Sequence, residues 1–164
     1  MILGPRPLTA EAFRPFGDVI DIDSASRHFT INDGFAERYH DLANLDLSEE
    51  DGKPIVSIFR AQPRALPLEI AMMECHPRSS QAFVPLHAQD FLVVVAAAGS
   101  APQDVVCFHA VKGQGVNFAR GTWHHPLIAL QRTSNFLVID RAGPGENCTE
   151  HHFAEGAYQV VLPS

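Results

Sequence analysis

The strongest structural signal in this chain is the segment Gly113-Gln114-Gly115-Val116-Asn117-Phe118-Ala119-Arg120-Gly121-Thr122-Trp123-His124-His125-Pro126. It contains the only Trp of the sequence and two of its nine His. Its glycines allow tight backbone turns, and Asn117-Phe118 between them is typical of a short strand. The segment therefore predicts a strand, a sharp bend and a second strand, an arrangement that can aim an imidazole into a barrel.

His124 and His125 are adjacent, which limits what both can do. Neighbouring residues on a strand point to opposite faces, so we expect at most one of them to face any given cavity. Either imidazole could instead be a hydrogen-bonded residue of the core or its rim. A functional role therefore depends on which other residues complete a site.

Composition excludes several classes of protein. The chain has 164 residues, of which 46% are hydrophobic and 19% charged, as expected for one globular domain spanning residues 1–164. A formal charge of −7 argues against nucleic acid or an anionic membrane as partner. The longest apolar run, residues 91–98, is too short to cross a bilayer.

Cysteine usage and the N-terminus indicate a cytoplasmic protein. The three Cys are widely spaced and form no CxxC pair, which suits reduced thiols better than a disulfide framework. Residues 1–7 lack the basic start and apolar core of a secretory signal.

Short strands separated by turn residues dominate the rest of the pattern. Thr9 is expected to cap a short N-terminal helix, Ala10–Phe13. Residues 24–41 are polar and interrupted by Gly, with a turn signal at Asn32-Asp33-Gly34. They end in a charged cluster, residues 37–41, that is expected on the surface or at the rim of a site. Strands are predicted at residues 18–22, 55–59, 68–76, 81–84, 91–98, 105–111, 115–119, 126–130, 135–140 and 158–162. This spacing, without intervening helices, favours an antiparallel sandwich or barrel.

Two motifs resemble those of the cupins, small jelly-roll barrels that carry His-x-His-x4-Glu on one hairpin and Pro-x-Gly-x-x-His on a later one. Glu74-Cys75-His76 followed by Gln81 takes the first form, with Glu for the first His and Gln for the Glu. Residues 119–124 take the second form, with Ala in place of Pro. The resemblance implies a mainly all-β fold, a cupin-type antiparallel jelly-roll barrel.

A more specific resemblance is to the ureidoglycolate lyase family, cupin-fold enzymes of allantoin breakdown. It rests chiefly on Gly115-Val116-Asn117 with Trp123-His124-His125-Pro126, and on further segments that lie in order within residues 1–150. These segments are residues 31–34, 38–42, 57–63, 76–77, 81–85 and 140–141. The tail after Asn147, including His151 and His152, does not match. The resemblance implies cleavage of ureidoglycolate to glyoxylate and urea, a homodimer, and a divalent metal, with nickel associated with some members.

That reaction dictates which side chains are needed. In ureidoglycolate one carbon carries a carboxylate, a hydroxyl and the ureido nitrogen, so a base must take the hydroxyl proton while an acid protonates the departing nitrogen. His124 and His76 are the expected pair, and Glu74 is the alternative base. Spacing i, i+2 puts Glu74 and His76 on one face of a strand.

The same residues are candidate metal ligands. Glu74, His76, Gln81 and His124 could form a mixed oxygen and nitrogen site for nickel, zinc or manganese. Without an ion, Glu74 and His76 would form a hydrogen-bonded polar pair.

The substrate carboxylate calls for a guanidinium. Arg60 is the first candidate, with a solvent-exposed edge residue as the alternative, and Arg38 and Arg141 follow. Asn117 could bind the urea amide or stabilise a turn. The alternative functions are hydrolysis to carbon dioxide and ammonia, isomerisation of a sugar or hydroxy acid, and non-catalytic binding of a small acid.

Overall fold

A computed structural model describes residues 1–162, which consist mainly of short β-strands. Within these residues there is one α-helix, α1 (Ala10–Phe13), and there are two 3₁₀ turns, Asn32–Gly34 and Glu49–Asp51. The strands are β1 (Ile2–Leu3), β2 (Arg6–Pro7), β3 (Gly17–Ile20), β4 (His28–Ile31), β5 (Ala36–Tyr39), β6 (Lys53–Ala61), β7 (Leu68–Glu69), β8 (Met72–Cys75), β9 (Gln81–Pro85), β10 (Phe91–Ala96), β11 (Val106–Ala110), β12 (Gly115–Phe118), β13 (Trp123–His124), β14 (Ile128–Ala129), β15 (Ser134–Ala142), β16 (Thr149–His152) and β17 (Gln159–Val160).

Two facing sheets form the barrel. One contains β8-β13-β10-β11 in that order, and the other contains β12-β9-β15-β6. Within these eight strands all pairings are antiparallel, and the chain passes repeatedly from one sheet to the other. This strand order is that of a jelly roll, so the predicted cupin-type fold is confirmed. β16 and β2 extend the first sheet, and β3 extends the second.

The first sheet is buried on both faces, as its longest strand shows. Val93 and Val95 of β10 pack with Phe83, Phe118 and Phe136 in the barrel interior. The alternate residues of β10 pack in a second apolar cluster on the outside, which β1, β7 and β17 help to form. Because both faces are covered, β10 is a continuous apolar run rather than an alternating one.

Most predicted elements are present. Thr9 caps α1, with the Ala12 N–H donating to its hydroxyl at 3.2 Å. The predicted strand 68–76 is wrong as a single strand, because β7 pairs with β17 whereas β8 pairs with β13 and β16. The chain changes sheets between them, which composition does not reveal.

No strand was predicted in the polar segment 24–41, which contains a hairpin of β4 and β5. Its predicted turn is correct, because Asn32, Asp33 and Gly34 have φ of 53°, 55° and 94°. Exposure on both faces explains why no apolar alternation marks these strands. As for membranes, no helix within residues 1–162 has the length and apolarity that a transbilayer segment requires.

Candidate active site

Strand pairing brings Glu74 and His124 together inside the barrel. Glu74 of β8 lies directly opposite His124 of β13, and His124 lies opposite Val95, whose side chain is in the barrel interior. Residues directly opposite in an antiparallel pair share a face, so both side chains point inward. His124 Nε2 lies 3.5 Å from Glu74 Oε1. His76 follows β8, and its ring centroid is 5.1 Å from that of His124.

Backbone carbonyls fix both imidazole rings. Nδ1 of His124 is 3.0 Å from the Thr122 carbonyl oxygen, and Nδ1 of His76 is 2.6 Å from that of Asn147. Because a carbonyl only accepts, each Nδ1 carries a hydrogen, which leaves each Nε2 directed at the rest of the cluster. His76 Nε2 lies 3.0 Å from Gln81 Oε1. Phe118 holds the His124 ring from one side by stacking at 4.2 Å.

Glu74 and His124 differ in charge at neutral pH. The interaction with His124 lowers the pKa of Glu74 despite partial burial, so this carboxylate is ionised at neutral pH. His124 is only 1% exposed, and burial lowers its pKa more strongly than Glu74 raises it. The ring is therefore neutral at neutral pH, with a bare Nε2 facing an anionic oxygen.

This arrangement suits a cation. A bare imidazole nitrogen and a carboxylate are both acceptors, and among residues 1–162 His124 Nε2 has no hydrogen-bond partner. Ligand atoms of Glu74, His76 and His124 all lie within 4.8 Å of one another. Two nitrogens and a carboxylate oxygen are a donor set that nickel, zinc and manganese accept. The residues present therefore fit a divalent ion, with the Gln81 oxygen adjacent.

A cavity of about 250 Å³ adjoins the cluster. Its polar lining residues are Arg60, Glu74, His124 and His125, and the others are apolar or aromatic. Residues 59–61 of β6 form one side. The expectation that only one of His124 and His125 faces a given cavity is wrong. β13 ends at His124 and the chain turns at Pro126, so strict strand alternation no longer applies.

His76 faces a second cavity of about 250 Å³, which is polar. Its lining residues are His76, Ser79, Gln81, Asp140, Arg141, Asn147 and Cys148. The Gln81 amide donates to Asp140 Oδ2 at 3.4 Å, so Gln81 connects His76 to Asp140. The predicted quartet of Glu74, His76, Gln81 and His124 thus lies together, between two small cavities.

The predicted substrate-binding residues do not contact the cluster, although Arg141 lines the cavity that His76 faces. Arg60 lies at the cavity rim, but its register opposite Asn135 and its Nε–Oδ1 hydrogen bond of 3.0 Å direct the guanidinium to the outer face of the sheet. Arg38 lies on the exposed β4–β5 hairpin. Arg141 is buried and donates to the carbonyl oxygens of Glu49, Glu50 and Pro144, so it holds loops together.

The side-chain amide of Asn117 is also bound to other parts of the protein. It lies on the opposite face of β12 from Phe118, and its amide donates to Asp18 Oδ2 at 2.9 Å and the Asn44 carbonyl at 3.0 Å. Sequence reasoning did not identify Asn147 and Thr122, which orient the two imidazoles. Both act through backbone carbonyls, for which no side-chain motif provides a signal. Phe118 could have been found, because it shares the inward face of β12 with Val116.

Comparison with known proteins shows which family the sequence matches. The family model for ureidoglycolate lyase matches residues 1–161. A ureidoglycolate lyase of Pseudomonas savastanoi pv. phaseolicola is 49% identical over 161 residues, covering 97% of this chain and 94% of that protein. A ureidoglycolate lyase of Burkholderia cepacia is 54% identical over 151 residues, covering 91% and 85%.

Two solved structures also show similarity, at low sequence identity. An oxalate decarboxylase of Lactobacillus farciminis aligns with a TM-score of 0.41 and 15% identity, over 64% of this chain and 29% of that chain. A dTDP-6-deoxy-D-glucose-3,5-epimerase of Legionella pneumophila aligns with a TM-score of 0.45 and 14% identity, over 84% and 79%. With a family model matching almost its full length and relatives about half identical to it, the chain belongs to the ureidoglycolate lyase family.

Proposed function

We propose that the protein is a ureidoglycolate lyase that releases glyoxylate and urea from ureidoglycolate during allantoin degradation. The observation that carries this proposal is the Glu74 carboxylate 3.5 Å from the buried His124 Nε2, at the wall of a cavity of about 250 Å³. We place this activity in the cytoplasm, in a single domain that assembles as a homodimer. Three free thiols support a reducing compartment.

The reaction is an elimination in which one proton is taken and one is given. The Glu74–His124 pair takes the hydroxyl proton, because it presents an ionised carboxylate and a bare ring nitrogen. The oxygen then forms the aldehyde double bond of glyoxylate while the carbon–nitrogen bond breaks. His76 gives a proton to the departing nitrogen, which leaves as urea. Placing acid and base on either side of one carbon is the requirement for this step.

His76 is suited to the acid role by its surroundings. Both ring nitrogens face amide oxygens, those of Asn147 and Gln81 at 2.6 and 3.0 Å, and such oxygens are satisfied by ring N–H groups. The Gln81 side chain is held in turn by Asp140. These contacts hold the His76 ring beside the cluster, where Nε2 can carry the proton when no ion is bound and would be a ligand when one is.

A divalent metal would be held by Glu74, His76 and His124, with Gln81 alongside. When bound, it supplies Lewis-acid polarisation of the substrate hydroxyl or carboxylate. Nickel is favoured by the family resemblance, and zinc and manganese by the donor types. Metal analysis of protein purified without chelator should find about one ion per chain, and clearly less in the Glu74→Gln variant.

Incubation with ureidoglycolate tests the proposed function directly. We expect glyoxylate to form with the wild-type protein and at a strongly reduced rate with His124→Ala. Binding of ureidoglycolate without any glyoxylate would show a small-acid-binding protein instead. Wild-type turnover in His124→Ala would remove that residue from the mechanism.

A further inference from the structure

The β4–β5 hairpin stands apart from the barrel. Its two strands pack mainly on each other and on the turn between them. Its contacts are internal, as in the stack of His28 on Tyr39 and the Thr30–Glu37 hydrogen bond. Phe35 near its tip is 91% exposed. Since an isolated two-stranded hairpin is marginally stable in water, this one calls for a further packing surface.

β6 is a second uncovered surface. This nine-residue strand is the edge of its sheet and pairs only with β15 among the described strands. Its apolar side chains are exposed on both faces, with Ile55 at 40%, Val56 at 66%, Ile58 at 55% and Phe59 at 41%. A long, exposed, apolar edge strand is unfavourable in a monomer and is typical of an interface.

The total surface area is consistent with two uncovered halves of an interface. The accessible surface is 9171 Å² for a chain of 18.0 kDa. A folded monomer of this mass is expected to expose about 8,000 Å². The excess of roughly 1,000 Å² is similar to the ~800 Å² that each partner buries in a standard protein–protein interface.

We propose that the β4–β5 hairpin of one copy packs against β6 of a second copy, and the reverse, in a two-fold symmetric dimer. The hairpin and β6 are on the same chain, so a two-fold axis between two copies covers both surfaces without a different partner. Together they hold seven of the thirteen exposed large hydrophobic side chains of the described residues. This names the surface through which the homodimer suggested above forms.

This interface also completes the active site. Residues 59–61 of β6 form one side of the cavity, so a hairpin docked there closes it. The hairpin carries Arg38, whose guanidinium lies 5.8 Å from the Phe29 ring and has no acidic partner within residues 1–162. The cavity in one chain holds the anionic Glu74, and its rim residue Arg60 is bonded to Asn135. Arg38 of the second copy then binds the substrate carboxylate, which rests on the proposed function.

Sedimentation of the full-length protein tests the interface independently of catalysis. We expect a wild-type dimer whose dissociation constant rises at least about tenfold in Phe35→Glu and in Val56→Lys. The matched control is Ile22→Lys, which alters an apolar side chain 60% exposed and outside both surfaces, and which should leave the dimer intact. Circular dichroism confirms that each variant retains its fold. A monomeric wild type, or a dimer unaffected by Phe35→Glu, overturns the interface.

Mixing two defective variants tests whether the site is shared. His124→Ala and Arg38→Ala are each expected to be nearly inactive alone. Random exchange of chains should restore about one quarter of wild-type activity, because half of the dimers are mixed and each mixed dimer has one intact site. If the mixture exchanges chains but regains nothing, the carboxylate-binding group belongs to the same chain as His124. An inactive wild type would instead reject the proposed function and leave the sedimentation result standing.

Discussion

At the scale of single residues, the chemistry depends on two acceptors placed face to face. Glu74 Oε1 and His124 Nε2 are 3.5 Å apart, and the Thr122 carbonyl holds the ring hydrogen of neutral His124 on Nδ1. A proton or a metal ion relieves this arrangement, and a substrate hydroxyl supplies the proton. We therefore propose this pair as the base that takes the hydroxyl proton.

Replacing Glu74 by Gln tests this pair with little change of shape. The amide cannot accept the hydroxyl proton, so we expect turnover to fall by roughly 10²–10⁴-fold while the fold persists. Steady-state rates of glyoxylate formation measure the effect. The control is Glu150→Gln, which alters an exposed carboxylate opposite Glu74 on β16 and should keep near-normal turnover. Equal losses in both variants would mean that Glu74 acts only through local charge.

His124 should make stability depend on pH. Its folded-state pKa is lowered by burial, whereas the unfolded chain binds the proton near the ordinary value of about 6.5. Below that pH the unfolded state therefore holds more protons, and the free energy of unfolding falls as pH falls. Glu74 also has a lowered pKa, so its contribution is lost at still lower pH.

Denaturant midpoints for wild type and His124→Gln at about pH 8 and about pH 5.5 measure this dependence. We expect the wild type to lose more stability on acidification than His124→Gln. Exposed His87→Gln serves as the control and should behave as wild type. Parallel losses in all three proteins would assign the pH dependence to other groups.

The four residues of the cluster could be predicted from the sequence. The residues that bind the substrate around it could not. Glu74, His76, Gln81 and His124 follow from motif spacing, because i, i+2 on a strand fixes a shared face. Asn117 fails for the same geometrical reason, since alternation with Phe118 puts it on the other face. Nothing in a single sequence says which of the two faces is inside. The role of Arg141 in joining loops could not be predicted, because its partners Glu49 and Glu50 lie far away in the sequence.

At the scale of elements, the close approach of β3 to β12 depends on a glycine. Gly17 has φ of 140°, and a Cβ there would lie 1.9 Å from the Asn117 carbonyl oxygen. Its neighbour Phe16 accepts hydrogen bonds from Ala119 N–H and the Thr122 hydroxyl. Gly17 thus allows β3 to anchor the segment that leads into His124.

Gly17→Ala should therefore destabilise the fold, by about 1–3 kcal/mol or more if the strands must separate. The denaturation midpoint measures the loss, and turnover should fall with it because His124 is displaced. Gly4→Ala is the matched control, since a Cβ at Gly4 would meet no atom within 4 Å. Equal stability of the two variants would show that β3 moves away from β12 without cost.

Elements were predictable where burial is one-sided or complete. β9, β10, β11 and β15 were found because apolar residues alternate or run together in them. The β4–β5 hairpin was not, because neither face packs on the barrel and its composition is that of a loop. β13 was predicted only as the second strand of the segment 113–126, without bounds, since two residues are too few to show a period.

At the scale of the whole molecule, the jelly-roll topology is what assembles the site. β8 and β13 are separated by four intervening strands in the chain, yet they are neighbours in one sheet. Only this crossing of the chain places Glu74 opposite His124. The fold therefore brings together two strands distant in sequence, each of which carries part of the proposed acid–base cluster.

We propose that this cluster breaks a carbon–nitrogen bond by elimination. Counting the nitrogen products of a complete reaction with purified protein tests it most directly. We predict one urea for each glyoxylate formed and no ammonia. Two ammonia for each glyoxylate, with no urea accumulating, would mean hydrolysis of the ureido group and would contradict the account.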